Sequence, residues 1–177
     1  MTVWFISDTH YGHENAYKFT AADGCTPMRP WDSAEEGDTE MVKRWNAVVH
    51  PKDKVYHLGD VAIPRRGLKV LEQLNGRKVL VAGNHDIFKL KDYTPYFEDI
   101  KGAHKYKDFI ISHIPLHPES IPHWANANIH GHLHDRRVQK EVGGELVEDN
   151  RYVNVSVEQI NYTPISFEEI KSRYNEN

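Results

Sequence analysis

Five short apolar runs in this chain end on the same chemistry, and that repetition constrains the fold more than any other feature. Val3 to Ser7 runs into Asp8, Lys54 to Leu58 into Gly59-Asp60, and Lys78 to Ala82 into Gly83-Asn84-His85-Asp86. Phe109 to Ser112 leads to His113, and Ala127 to Ile129 leads to His130-Gly131-His132. Short apolar runs bounded by turn residues read as buried strands. In open α/β sheets ligands gather outside the carboxyl ends of the strands, so polar residues repeated there mark a site.

The segments between these runs supply the helices. Ser33 to Val49 carries Met41, Val42, Trp45 and Val48-Val49 at helical spacing, with Glu35 and Glu36 near the start and Pro51 to stop it. Arg66 to Leu74 repeats the pattern with Leu68, Leu71 and Leu74, and Asn75-Gly76 ends it. Downstream, Asp135 to Val142, Glu145 to Glu148 and Arg151 to Val157 are broken by Gly143-Gly144 and Asp149-Asn150, and predict extended strands joined by tight turns. The expected fold class is α/β: a four-layer α-β-β-α sandwich, two packed mixed sheets flanked by helices. A length of 177 residues suits one such domain over 1–177. Residues 11 to 32, with Gly12, Gly24, Pro27 and Pro30, predict an irregular loop over the cleft, and the residues from Lys171 on a surface end.

Composition narrows the chemistry. Cys25 is the only cysteine, which excludes an intrachain disulfide or a thiolate-rich zinc site and leaves N and O ligands for any metal. A formal charge of −4 gives no broad basic surface, so nucleic acid is possible as a partner but not favoured. No run approaches the ~18 apolar residues of a membrane span, and the start turns polar where a signal peptide would continue apolar. No membrane partner and a cytoplasmic location are expected. Twelve histidines are the anomaly, and they sit beside Asp, Asn and Gly at the ends of the apolar runs.

Each motif alone has an ordinary explanation. Asp8-x-His10 could be a surface pair, Gly59-Asp60 a turn glycine and a capping carboxylate, Asn84-His85-Asp86 a helix cap, and His113 a packed histidine. Together they bring carboxylate, imidazole and amide oxygen to neighbouring strand ends. A carboxylate such as Asp60 has two oxygens and can bridge two ions. Gly131-His132-x-His134 adds two imidazoles where glycine permits a close approach.

In that order, Asp8-x-His10, Gly59-Asp60, Gly83-Asn84-His85-Asp86, His113 and Gly131-His132-x-His134 resemble the signature of the calcineurin-like metallophosphoesterase superfamily, over roughly residues 3 to 134. Within it the chain is similar to the small single-domain bacterial and phage type, through Tyr56-His57-Leu58-Gly59-Asp60 and Asn154-Val155-Ser156. The resemblance implies two divalent metal ions. Asp8, His10, Asp60 and His134 would hold one; Asp60, Asn84, His113 and His132 would hold the other. It implies His85 as the catalytic group that assists the leaving oxygen, and hydrolysis of a small phosphodiester, nucleotide-derived or cyclic, by in-line attack of a metal-bridging hydroxide. Phosphomonoesterase and nuclease activity are the enzymatic alternatives, and a non-catalytic scaffold of the same fold is the other class. The mixed ligands suit Mn, Fe, Zn, Ni or Co, with Mn favoured for activity. The protein phosphatases of the superfamily carry an Asp three residues after the bridging one, and Ile63 stands there in this chain, which weakens that substrate class. Asp86 could orient His85 in its place.

Further residues have two readings each. His13 and His117 lie in loops beside the motifs and could touch phosphate, whereas His57 and His130 read as packed or supporting residues. Arg29, Arg65 and Arg66 are candidate phosphate clamps, with a solvated surface as the alternative. Trp31 and Trp124 could stack on a base or pack against their own domain. Neither oligomeric state nor the identity of the small phosphate-ester substrate is encoded in these patterns.

Overall fold

The computed structural model describes residues 1–21 and 23–175. The predicted runs form β1 (Val3–Ile6), β2 (Lys54–His57), β3 (Arg77–Val81), β6 (Phe109–Ile111) and β7 (Ala127–His130). Between β3 and β6 lie α2 (Leu90–Tyr93), β4 (Asp99–Lys101) and β5 (His104–Tyr106). After β7 come β8 (Gln139–Val142), β9 (Glu145–Glu148), β10 (Tyr152–Asn154), β11 (Ile165–Ser166) and α3 (Phe167–Asn175).

Two mixed sheets result. One has the order β11-β1-β2-β3-β4, parallel except for β11; the other has the order β10-β7-β6-β5, parallel except for β5. They pack as a sandwich flanked by helices, the predicted four-layer α-β-β-α arrangement. Phe5 of β1 stacks on Tyr56 of β2 at 5.4 Å between ring centroids and meets Tyr106 of β5 edge-on at 5.5 Å, so aromatic side chains join the sheets across the core. Strands β8 and β9 form a separate hairpin. Its Gly143-Gly144 turn has φ of 64° and 88°, the doubly left-handed geometry that two-residue hairpin loops favour.

The first helix, α1 (Ala34–Val48), follows the prediction closely. Ser33 caps it by accepting from Glu36 N at 3.2 Å, and the buried Met41, Trp45 and Val49 stripe faces the sheet. The segment read as a second helix is a 3₁₀ helix over Arg65–Gln73. Leu68, Leu71 and Leu74 recur every three residues, and a helix with three residues per turn brings all three onto one buried face. The last described residues are helical, with Ser172 and Arg173 on the surface as expected. Lys171 lies inside α3, with Ile170 fully buried and Tyr174 meeting Phe109 at 5.7 Å, so this segment covers the core.

The described residues between 11 and 32 are irregular apart from a 3₁₀ turn at Glu14–Tyr17 and isolated bridges of Tyr11 with Ala62 and Thr20 with Pro27. Tyr162 donates its hydroxyl to Met28 O at 2.7 Å, and Trp31 packs on the Tyr162 ring at 4.7 Å, which fastens the segment to the body of the domain. Among the described residues no helix is long and apolar enough to cross a membrane.

Candidate metal centre

Five backbone segments meet where β1, β2, β3, β6 and β7 end. The loops after β1 and β2 run side by side, with Asp8 N donating to Gly59 O, His10 N to Asp60 O and Tyr11 N to Val61 O, at 2.9–3.0 Å. Asp8, His10, Asp60, His132 and His134 all adopt left-handed backbone conformations, with φ of 60°, 47°, 55°, 69° and 52°. Each costs on the order of 1 kcal/mol or more for a residue with a Cβ, and such strain collects where a site needs side chains aimed against the strand direction. Two glycines permit the crowding. At Gly59, whose φ is 91°, a Cβ would stand 2.8 Å from His113 Nδ1, and at Gly131 it would overlap Ser7 Oγ and Asp8 Oδ2.

The side chains converge in two overlapping groups. Asp8, His10 and His134 form one and Asp8, Asp60 and His113 the other, each with ligand-type atoms mutually within 4.8 Å. His10 Nε2 lies 3.7 Å from Asp60 Oδ2, while His113 Nε2 lies 3.5 Å from Asp60 Oδ1, so the two oxygens of Asp60 face the two groups. His134 Nε2 is 3.9 Å from Asp8 Oδ1, and the His10 and His134 rings stack at 5.3 Å. Asn84 Oδ1 lies 2.9 Å from both His113 Nε2 and His132 Nδ1.

The hydrogen-bond partners show that these atoms fit a cation. His113 Nδ1 is 2.7 Å from Leu58 O and must donate to it, which leaves the Nε2 of the neutral ring a lone pair. That lone pair faces the oxygen of Asn84, so two acceptors meet with no proton between them. On the other side, His134 Nδ1 donates to Glu158 Oε1 at 3.2 Å, freeing its Nε2, and fully buried Asp8 Oδ1 has no hydrogen-bond donor. Imidazoles whose outer nitrogen is fixed by a carbonyl or carboxylate are the form that metals bind.

Electrostatics follow from the burial. Burial opposes ionisation of Asp8, yet the His134, His113 and His10 imidazoles outweigh it and hold its carboxyl below the usual range. Burial raises Asp60, against the pull of His113. His10 is driven well below its ordinary value by burial, which Asp8 only partly offsets, and burial lowers His132 as well. His134 is raised: burial would lower it, but the hydrogen bond and charge of Glu158, with Asp8, prevail. His10 and His132 thus present lone pairs at neutral pH.

His85 and Asn84 are exposed and His132 is half-buried, which leaves the centre open on one side. The His85 ring meets the His10 ring edge-on at 5.6 Å, and His13 lies 6.1 Å from His10. His117 instead caps a short 3₁₀ turn, accepting from Glu119 N at 3.3 Å. His57 is wholly buried with Nε2 3.0 Å from Thr9 Oγ1, and His130 is wholly buried with Nδ1 2.7 Å from Gly131 O. Burial pushes both imidazoles down to about 4.

Two roles suggested by the sequence are replaced. Asp86 does not orient His85; its Oδ2 accepts from Asp60 N and Gly83 N at 2.8 Å each and its Oδ1 from Val61 N at 3.0 Å, so it clamps the β2 and β3 ends together. Arg29 is neither a phosphate clamp nor solvated. It is 1% exposed and donates to Asp8 O and Thr9 O at 2.7 Å each, 3.5 Å from Glu158. Sequence reasoning missed Glu158 and the hydroxyl of Ser156, which donates to Asp8 Oδ2 at 2.9 Å; only their position just after β10, beside Asn154, hinted at the site. Trp124 sits under Lys105, whose ammonium is 4.3 Å from the ring centroid.

A family model described as Calcineurin-like phosphoesterase matches residues 1–171. MJ1445 of Methanocaldococcus jannaschii is 34% identical over 172 residues, covering 94% of this chain and 87% of that protein. The Gene 66 protein of Mycobacterium phage L5 is 28% identical, covering 74% of this chain and 76% of that protein. Among solved structures, AQ665 of Aquifex aeolicus, described as a protein of unknown function, superposes with a TM-score of 0.64 at 27% identity over 97% of this chain and 98% of that one.

Proposed function

The chain belongs to the calcineurin-like phosphoesterase family, and on that premise we propose that it is a dinuclear-metal-dependent hydrolase of a small phosphodiester. The observation that carries this reading is the meeting of His113 Nε2 and Asn84 Oδ1 at 2.9 Å while His113 Nδ1 is committed to Leu58 O. Asp8, His10, Asp60 and His134 would hold one divalent ion; Asp60, Asn84, His113 and His132 would hold the other. The placement of the Asp60 oxygens, one toward each group, supports Asp60 as the bridge. Two such ions supply Lewis acidity and an activated water for in-line displacement at phosphorus.

The chain's own residues then have distinct tasks. His85 is exposed on the open side beside His10 and donates a proton to the leaving oxygen, a contribution of about 10² to 10⁴ in rate. His13 lies beside them, its ring 6.1 Å from that of His10. Asp86 keeps Asp60 in place through its backbone, and Glu158 fixes the tautomer of His134. The openness around Asn84 and His85 leaves room for both arms of a diester. The nitrogen-rich donor set suits Mn, Fe, Zn, Ni or Co, and Mn is the proposed activating ion.

The test uses metal-stripped protein reloaded in turn with Mn, Ni, Fe(II), Co and Zn, assayed on an aryl phosphodiester and an aryl phosphomonoester. Diester turnover that requires metal is expected, with Asp60→Asn disturbing both ions. His85→Ala should keep two ions per chain and lose at least about 100-fold in turnover. A protein that takes up no stoichiometric metal would overturn the reading, and an H85A variant that has lost an ion would remove His85 from the acid role.

A further inference from the structure

Two elements leave the candidate metal centre side by side. The 3₁₀ helix begins at Arg65, five residues beyond Asp60, and α2 begins at Leu90, five residues beyond His85. At no more than ~3.6 Å per residue, both begin within about 18 Å of those side chains' backbones. Between them lies a groove of about 390 Å³, lined by Arg65, Arg66, Lys69, Lys91, Asp92 and Tyr96 among others.

Its charge is uncompensated. Asp92 is the one carboxylate in the lining and is engaged by Arg65. Glu72, near by, accepts from the Tyr96 hydroxyl at 3.4 Å. Among the described residues no ion pair involves Arg66, Lys69 or Lys91, and all three are exposed along the groove. Like charges gathered in one concavity repel each other and raise the local concentration of anions. This concentration of positive charge stands out on a chain whose formal charge is −4.

We infer that this groove binds a second phosphate of the substrate, away from the phosphodiester being cleaved, through Arg66, Lys69 and Lys91. The inference rests on the hydrolase reading above and narrows it to substrates that carry a further phosphate. The guanidinium of Arg66 can take two phosphate oxygens, whereas the two lysines act as point charges. A single-stranded oligonucleotide and a nucleoside cyclic phosphate that carries a further phosphate share this chemistry.

The test compares metal-loaded wild type with the triple variant Arg66→Glu, Lys69→Glu, Lys91→Glu. Binding is measured with a non-hydrolysable single-stranded hexanucleotide and, separately, with a non-hydrolysable phosphorothioate analogue of a nucleoside cyclic phosphate that carries a further phosphate. Turnover is followed on an aryl phosphodiester that has no second phosphate. The variant should turn over the aryl ester as wild type does and bind the hexanucleotide at least 10-fold more weakly. Losing the one phosphate held in the groove should flatten the slope of log affinity against log salt by about 0.7. Weakening confined to the cyclic ligand would also support the groove and identify the small nucleotide as the carrier. Equal binding of both ligands by the two proteins overturns the inference. Weakened binding together with no hydrolysis of any ester by wild type would uphold the groove and sink the hydrolase reading instead.

Discussion

Replacing Asp86 by Asn tests whether the centre is held from behind by one carboxylate. Asp86 accepts three backbone N–H groups, from Asp60, Val61 and Gly83. An amide has one oxygen, so in either orientation its NH₂ confronts at least one of those donors. Hydrogen bonds to a charged group contribute roughly 1.5–3 kcal/mol each and neutral ones about 1, so losing one bond and the charge on the others costs about 3 kcal/mol. The damage should reach the metals, because the Asp60 carboxylate faces both ligand groups while its backbone N–H is held by Asp86. Loss of such supporting contacts typically lowers metal affinity about 10- to 100-fold. Urea unfolding of the metal-free protein and calorimetric titration with Mn and Zn would measure the two effects. A D86N protein within about 1 kcal/mol of wild type, with unchanged metal affinity, would refute the clamp.

His57 should make stability pH-dependent. Burial holds its folded value near 4 against 6.5 for an ordinary imidazole, so the unfolded chain takes up the proton first as pH falls. Its contribution is fully present above about pH 6.5 and is lost on acidification, by about 2 kcal/mol between pH 6.5 and 4.5 relative to His57→Gln; parallel stability profiles of the two proteins would contradict this. Arg29→Met should cost about 3–5 kcal/mol by stranding Glu158 and two carbonyls, and wild-type stability in this variant, measured by urea unfolding, would show that the buried ion pair carries no weight. Gly131→Ala has no room beside Ser7 and Asp8 and should unfold at least about 2 kcal/mol more easily, with impaired metal uptake; a neutral effect on the same two measurements would be incompatible with the close approach. Saturating metal at about 100 times Kd stabilises by about 2.7 kcal/mol per site, so stripping both ions with a chelator should lower Tm by about 10 °C or more, and an unmoved Tm would argue against binding at the folded centre.

Much of the architecture could be read locally. Strands β1, β2, β3, β6 and β7 announce themselves because each is a short apolar run stopped by polar residues, and α1 because its buried residues keep helical spacing. Strands β4, β5 and β11 gave no such signal. They are two or three residues long, and β4 and β5 lie at sheet edges with mixed burial, so neither an apolar run nor an alternation can develop. The hairpin of β8 and β9 was visible through its glycine pair, but β10 belongs to the second sheet because its backbone pairs with β7, a contact no local pattern specifies.

The sequence by itself determined the donor chemistry: carboxylate, imidazole and amide groups at strand ends, with a single cysteine that excludes a thiolate-rich site. Tertiary structure decided what each polar residue does with its neighbours. Arg29 looked like a phosphate ligand until the fold buried it against the carbonyls of residues 8 and 9, and Asp86 looked like a partner for His85 until its carboxylate was found on three backbone amides. Glu158 reaches His134 across 24 residues and Ser156 reaches Asp8 across 148. Spacing along a chain reports which side chains share a face of one element; hydrogen bonds and charge act through space, and only the packed fold sets those distances.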